Sequence, residues 1–135
     1  MERINAPKAW DKFTGSSDVV VGVIDGGVDY NHPDLAPNMW VNEDEIPGNG
    51  VDDDHNGYID DINGWNFTFN HNDPMDIAYH GSHVAGIIAA AGNNGIGVTG
   101  VAWKTKIAAL NVGIDERRIS SAAVIKAINY ATDNH

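Results

Sequence analysis

Residues 19–27 read Val-Val-Val-Gly-Val-Ile-Asp-Gly-Gly, a run rich in β-branched residues that stops at a carboxylate followed by two glycines. A continuous apolar run of this kind forms a strand covered on both faces, so residues 19–24 are predicted to be a buried strand. Thr14-Gly15-Ser16-Ser17 ahead of it is turn-like, and Asp25-Gly26-Gly27 marks its end. Working outward, residues 82–91 are small and apolar and predict a buried helix closed by Gly92 as its C-terminal cap. Residues 106–112 predict a second strand. Ser120 or Ser121 is a suitable N-cap for a helix reaching about Asn134, with Val124, Ile125, Ile128 and Ala131 on its inner face. Strand, helix, strand, helix implies an α/β fold in which crossover helices connect the strands of a parallel sheet.

The chain has 135 residues, 42% of them apolar, enough for one core, so residues 1–135 are expected to form a single domain or the N-terminal portion of one. The last predicted helix runs almost to His135 with no strand after it to receive the chain. A crossover helix leads back into its sheet, and the expectation is that the natural domain continues. No apolar stretch approaches the roughly 18 residues of a membrane span. The opening Met-Glu-Arg-Ile-Asn-Ala-Pro-Lys-Ala-Trp lacks the basic and apolar regions of a signal peptide. No membrane partner is expected. There is no cysteine, which removes disulfides and thiolate metal sites.

Charge is more informative. The formal net charge is −11, and between Lys12 and Lys104 stand fourteen Asp or Glu and no Lys or Arg. Such a surface repels phosphate backbones, so nucleic acid is not an expected partner. Eight of the acids fall in residues 43–61, inside a stretch from 29 to 76 that is rich in Asn, Asp, Gly and Pro, and too long for an ordinary connection. Either this is a solvated acidic loop, or a bound cation offsets its self-repulsion. The spacing favours the cation. Asp52, Asp54 and Asn56 occupy positions one, three and five of a loop with Gly57 at six, the pattern that wraps oxygen ligands round one Ca2+. Tyr58 would offer its carbonyl at seven and Asp60 its side chain at nine, with Asp61 adjacent. Position twelve is Asn63 and not the bidentate glutamate of an EF-hand.

Two further positions carry chemistry. Asp25 stands where a strand stops, and ligands of open α/β sheets collect outside the carboxyl ends of strands. By itself an Asp-Gly-Gly is more readily a turn cap. His80-Gly81-Ser82-His83 opens the small-residue helix. A helix N-terminus disfavours a protonated imidazole and a nearby carboxylate favours it, a balance that suits a general base. Either histidine could instead be structural, and for His83, which points into a buried helix, the structural role is preferred.

Taken together, residues 23–35 (VIDGGVDYNHPDL), 80–90 (HGSHVAGIIAA) and 93–103 (NNGIGVTGVAW) resemble, in order, the aspartate motif, the histidine motif and the following calcium loop of the subtilisin-like serine proteases. The resemblance covers most of the chain, and three ordered motifs of this length are hard to obtain by chance. It implies that Asp25 is the orienting carboxylate and His80 the general base of an Asp/His/Ser triad that hydrolyses peptide bonds in polypeptide substrates. Ser82 stands where the family more often has threonine. None of Ser16, Ser17, Ser82, Ser120 or Ser121 has the family's nucleophile context. The chain is therefore expected to be inactive without the missing C-terminal part of the domain. The family also carries acidic insertions between the two motifs, which fits residues 42–64 as a calcium-binding insertion. A second Ca2+ site is implied by the resemblance alone, through Gly92, Asn94, Ile96 and Val98 with Asp34. Secretion is implied in the same way.

A metallohydrolase using His80, His83 and Asp25 lacks the four-residue histidine spacing and intervening glutamate of a helical zinc site. A non-catalytic calcium-binding or interaction module derived from the same fold remains the alternative, because no nucleophile motif is present.

Overall fold

The computed structural model describes residues 1–134; His135 lies outside the described residues. A short helix α1 (Ala6–Trp10) precedes strand β1 (Val20–Asp25). Strand β2 (Gly64–Asn66), helix α2 (His80–Ala89) and strand β3 (Lys106–Asn111) follow. A small hairpin, β4 (Gly113–Asp115) with β5 (Arg118–Ile119), leads into helix α3 (Ser121–Asp133).

β1, β3 and β2 form a parallel sheet in that order. β3 is its spine. Its residues from Ile107 to Asn111 are all buried, and they alternate between two cores. Ile107 and Ala109 pack with Val23, Val28, Leu35 and the α2 residues Ala85 and Ala89. Ala108 and Leu110 pack on the other face with Trp65, Phe67 and the α3 residues Ala123, Ala127 and Tyr130. The period of two along a strand thus serves a helix on each face, the α/β arrangement that the alternating pattern implies.

Three readings of the sequence are corrected. β1 is not fully buried: Val21 and Val23 pack on one core and Ile24 on the other, but the strand lies at the edge of this sheet, only Val23 is buried, and Val20 is 36% exposed. α3 does start from Ser120, whose hydroxyl accepts the Ala123 N–H at 3.2 Å. Its fully buried face, however, is Ala123, Ala127 and Tyr130; of the four residues expected there, Val124 and Ala131 pack partly buried against the core, while Ile125 is 63% and Ile128 51% exposed. The inward stripe follows the i, i+4, i+7 spacing of Ala123, Ala127 and Tyr130, which share one core with Leu110. Third, α2, opened by His80 as its motif implies, ends at Ala89 with Ala90 as its C-cap, short of the expected cap at Gly92.

Candidate active site and acidic loop

β1 delivers Asp25 to the carboxyl end of the sheet, where its carbonyl accepts the Val112 N–H at 2.8 Å as β3 runs out beside it. Asp25 Oδ1 accepts the Gly26 N–H at 2.7 Å, which fixes one carboxylate oxygen on the turn. α2 starts directly above. A Cβ on Gly81 would collide with the Gly27 carbonyl oxygen and lie 3.0 Å from Asp25 Cβ, so only glycine lets the first turn of the helix rest on the strand end. Gly27, at φ +106°, has the same role on the other side, where a Cβ would overlap the backbone of Pro74 and Met75.

The result is a paired acid and imidazole. His80 Nδ1 lies 2.8 Å from Asp25 Oδ2 and 3.0 Å from Oδ1. An ionised carboxylate only accepts, so Nδ1 carries the proton and Nε2 presents its lone pair. The His80 side chain is 72% exposed and that of Asp25 20%, leaving the imidazole open to a reacting group while its partner is sheltered. Among the described residues no serine hydroxyl hydrogen-bonds His80. Ser82 Oγ donates to Asp76 at 2.6 Å, Ser16 Oγ donates to Asp18 at 3.1 Å, and Ser120 Oγ caps α3.

The acidic loop folds around its own carboxylates. Carboxylate oxygens of Glu45, Asp52 and Asp54 converge within 4.8 Å of one another. Glu45 is buried and accepts the N–H groups of Asp53, Asp54 and Asp60 at 2.7, 3.2 and 2.9 Å. The Asn56 amide donates to Asp54 Oδ2 at 2.9 Å and to Asp61 Oδ2 at 3.0 Å, and Asn42 bridges the same two residues at 2.9 and 2.8 Å. Asp61 is fully buried and also accepts the Tyr130 hydroxyl at 2.6 Å. Burial pushes the Asp61 carboxyl above its ordinary value, against the lowering effect of those three donors, and the neighbouring Asp54 adds to the rise. Tyr130 is raised by its own burial and by Asp61.

Of the six loop residues singled out from spacing, Asp52, Asp54, Asn56 and Asp61 are linked by direct hydrogen bonds or shared partners. Asp60 faces the other way. Its carboxylate accepts the N–H groups of Gly48, Asn49 and Gly50 at 2.7, 3.2 and 3.0 Å and closes the 48–50 turn. Tyr58 donates its N–H to Asn56 Oδ1 at 2.8 Å, and its ring packs edge-on against Trp65, Phe67 and Tyr130. Glu45, Asn42 and Tyr130 were not singled out from the sequence. Glu45 lies within the acidic run, but no loop spacing connects it to Asp52, and Tyr130 reaches Asp61 from 69 positions away.

The donor set fits a hard divalent cation. All the converging groups are oxygens, no Lys or Arg occurs between residues 12 and 104, and two amide NH2 groups occupy the gap between Asp54 and Asp61, where a cation would relieve the same repulsion.

In the second loop, buried Asp34 gathers two of the four partners suggested for it. Its Oδ1 accepts from Asn94 Nδ2 at 2.8 Å, and its Oδ2 accepts the Val98 N–H at 2.9 Å. Ile96 donates its N–H to Asn94 Oδ1 at 3.1 Å. Gly92 packs instead under the Trp103 ring, where any Cβ would collide.

These features agree with comparisons to known proteins. The family model described as the subtilase family matches residues 16–135. Subtilisin-like protease 1 of Plasmodium vivax is 50% identical over 110 residues, covering 80% of this chain but 17% of its own length. The thermophilic serine proteinase of Bacillus sp. (strain AK1) is 38% identical over 126 residues, covering 93% of this chain and 26% of the relative. Fervidolysin from Fervidobacterium pennivorans, described as a keratinolytic enzyme related to subtilisin, superposes with a TM-score of 0.64 at 27% identity, over 93% of this chain and 17% of that structure. The chain thus spans a minor fraction of the relatives it matches. With an aspartate at a parallel strand end paired to the first histidine of a glycine-bearing helix, and a family match running over most of its length, this chain belongs to the subtilisin-like serine protease family, the subtilases.

Proposed function

We propose that the chain supplies the aspartate and the histidine of a calcium-dependent serine endopeptidase acting on polypeptides outside the cell. The observation that carries this reading is the 2.8 Å contact of Asp25 with Nδ1 of an exposed His80. Asp25 holds the imidazole in the tautomer whose Nε2 is a base and stabilises the imidazolium once a proton arrives. His80 Nε2 takes the proton from a serine hydroxyl as its oxygen attacks the peptide carbonyl, then returns it to the leaving amine. The serines here are engaged elsewhere or lie outside the nucleophile context, so that hydroxyl comes from residues beyond these 135. The chain alone hydrolyses no peptide.

Calcium belongs to the scaffold in this reading. Asp52, Asp54 and Asn56, joined by Glu45, would hold one ion. Asp34 and Asn94 would hold a second ion at the 92–98 loop. Bound Ca2+ would supply positive charge to a loop of like charges and take no part in the proton transfers.

The test is complementation. Supplied with the C-terminal part of the domain, the protein should hydrolyse a peptide substrate, and His80→Ala should lower kcat by on the order of 10⁶. Retained hydrolysis in His80→Ala would overturn the assignment. Failure of any complemented sample to cleave, with calcium binding intact, would favour the non-catalytic module.

A further inference from the structure

Asp76 is not part of the acid–imidazole pair, yet it is bonded to the turn that carries His80. α2 has no ordinary cap. Its N-cap position is Tyr79, which makes no side-chain cap bond and is held at φ +62°. The N–H groups of a helix's first turn need acceptors, and here one comes from three residues further upstream. Asp76 Oδ2 accepts the Ser82 N–H at 2.8 Å and the Ser82 hydroxyl at 2.6 Å. Asp76 Oδ1 accepts the Ala78 N–H at 2.8 Å and folds the approach to the helix. The Ser82 oxygen in turn accepts the Asp29 N–H at 2.8 Å. One carboxylate thereby ties the start of α2, two residues past His80, to the loop that leaves β1 four residues past Asp25.

We infer that Asp76 is a positioning residue: acting through Ser82, it sets the first turn of α2 against the β1 exit and so holds His80 Nδ1 on Asp25. The inference rests on the Asp25–His80 pairing put forward above. Neutral donors at a helix start favour an anion, and Asp76 supplies both the charge and the fixed acceptor geometry. Three acids, Asp25, Asp29 and Asp76, lie on the segments bonded to this turn. Because the removal of any acid there changes the field at His80, a titration would not separate charge from position, whereas the Nδ1–H bond does.

The experiment is proton NMR on the protein labelled with 15N-histidine, reading the downfield Nδ1–H resonance of His80 and its exchange with water. Asp25→Asn should abolish the resonance. Asp76→Ala should speed its exchange by about tenfold or more, by freeing the turn to open, with the amide signals of β3 and α3 unmoved. Asp76→Asn removes the charge but keeps an acceptor oxygen, and should restore most of the protection. Should Asp76→Ala not fold, Ser82→Ala and Ser82→Thr decide: the alanine variant loses protection, and the threonine variant, with its hydroxyl, keeps it. Protection unchanged in both Asp76→Ala and Ser82→Ala overturns the inference, as does equal loss in Asp76→Ala and Asp76→Asn. A resonance that is missing from the parent, or indifferent to Asp25→Asn, overturns the pairing itself and this inference with it.

Discussion

At the end of β1 a carboxylate meets an imidazole, while in residues 42–61 carboxylates meet amides, backbone N–H groups and one another. The first site is assembled by backbone contact. Gly27 and Gly81 let chain segments touch with no side chain between them, and the one carboxylate there faces a ring N–H and not a second acid. The second is assembled by the carboxylates themselves, with Glu45 and Asp60 each collecting three N–H groups. Its charge is spread over weak partial charges and is not cancelled. One region should therefore be broken by volume, the other by loss of donors or of a cation.

The largest expected effect is from Gly81→Ala. A Cβ driven into the Gly27 carbonyl cannot be relieved by a side-chain rotation, and overpacking against backbone costs about 3 kcal/mol. The urea midpoint should fall accordingly, and the His80 Nδ1–H resonance should vanish. Gly48→Ala in the acidic loop sharpens the contrast. Its φ is +73° but nothing lies within 4 Å of the added Cβ, so it should cost only the left-handed strain, about 1–2 kcal/mol.

Next in size is calcium. With a Kd of about 10⁻⁴ M, as for extracellular sites, 10 mM Ca2+ should stabilise the protein by about 2.7 kcal/mol. Thermal melts with calcium and with EDTA measure this, and Asp54→Asn should shrink the difference. An equal gain in Asp54→Asn would show that the ion binds elsewhere.

Tyr130→Phe follows. It removes a hydroxyl donor from buried Asp61 without changing the packing of the ring, and should cost about 1–3 kcal/mol. The loss should be greater in EDTA than in calcium if the ion shares the duty of offsetting the Asp61 charge. Chemical denaturation under both conditions tests the difference.

The smallest effect is a pH slope. The native Asp61 carboxyl is raised, so the folded state holds its proton more tightly than the unfolded chain does. Its contribution to stability is then complete below the ordinary carboxylate value, near 4, and is lost as pH rises through the raised native value. One group changes the unfolding free energy by at most about 1.4 kcal/mol per pH unit. Urea midpoints in EDTA should show this decline, and calcium, which favours the ionised form, should flatten it.

Much of the fold was legible because its main elements are locally self-consistent. The β-branched run of β1, the apolar run of β3 and the serine cap of α3 each satisfy a local preference that the tertiary fold also satisfies. β2 was not legible: Gly64–Asn66 is three residues long, and becomes a strand because β3 is already there to pair with it. The candidate pair, Asp25 and His80, is marked by motif, and the convergence of Asp52, Asp54 and Asn56 by spacing, since five consecutive residues share one turn of loop.

By itself, then, the sequence determined the α/β class, the family, the identity of the acid and the imidazole, and the presence of an uncompensated acidic loop, all of which depend on neighbours within a few residues or on motif order. Only the tertiary structure decided which face of α3 turns inward, that Glu45 joins the acidic centre while Asp60 leaves it, that Tyr130 holds Asp61, and that Asp76 takes up the unfilled cap of α2. Each of those depends on a hydrogen bond or a close approach between groups that the folded backbone brings together. Residue type and local spacing alone do not specify which of several chemically equivalent acids ends up facing the donors.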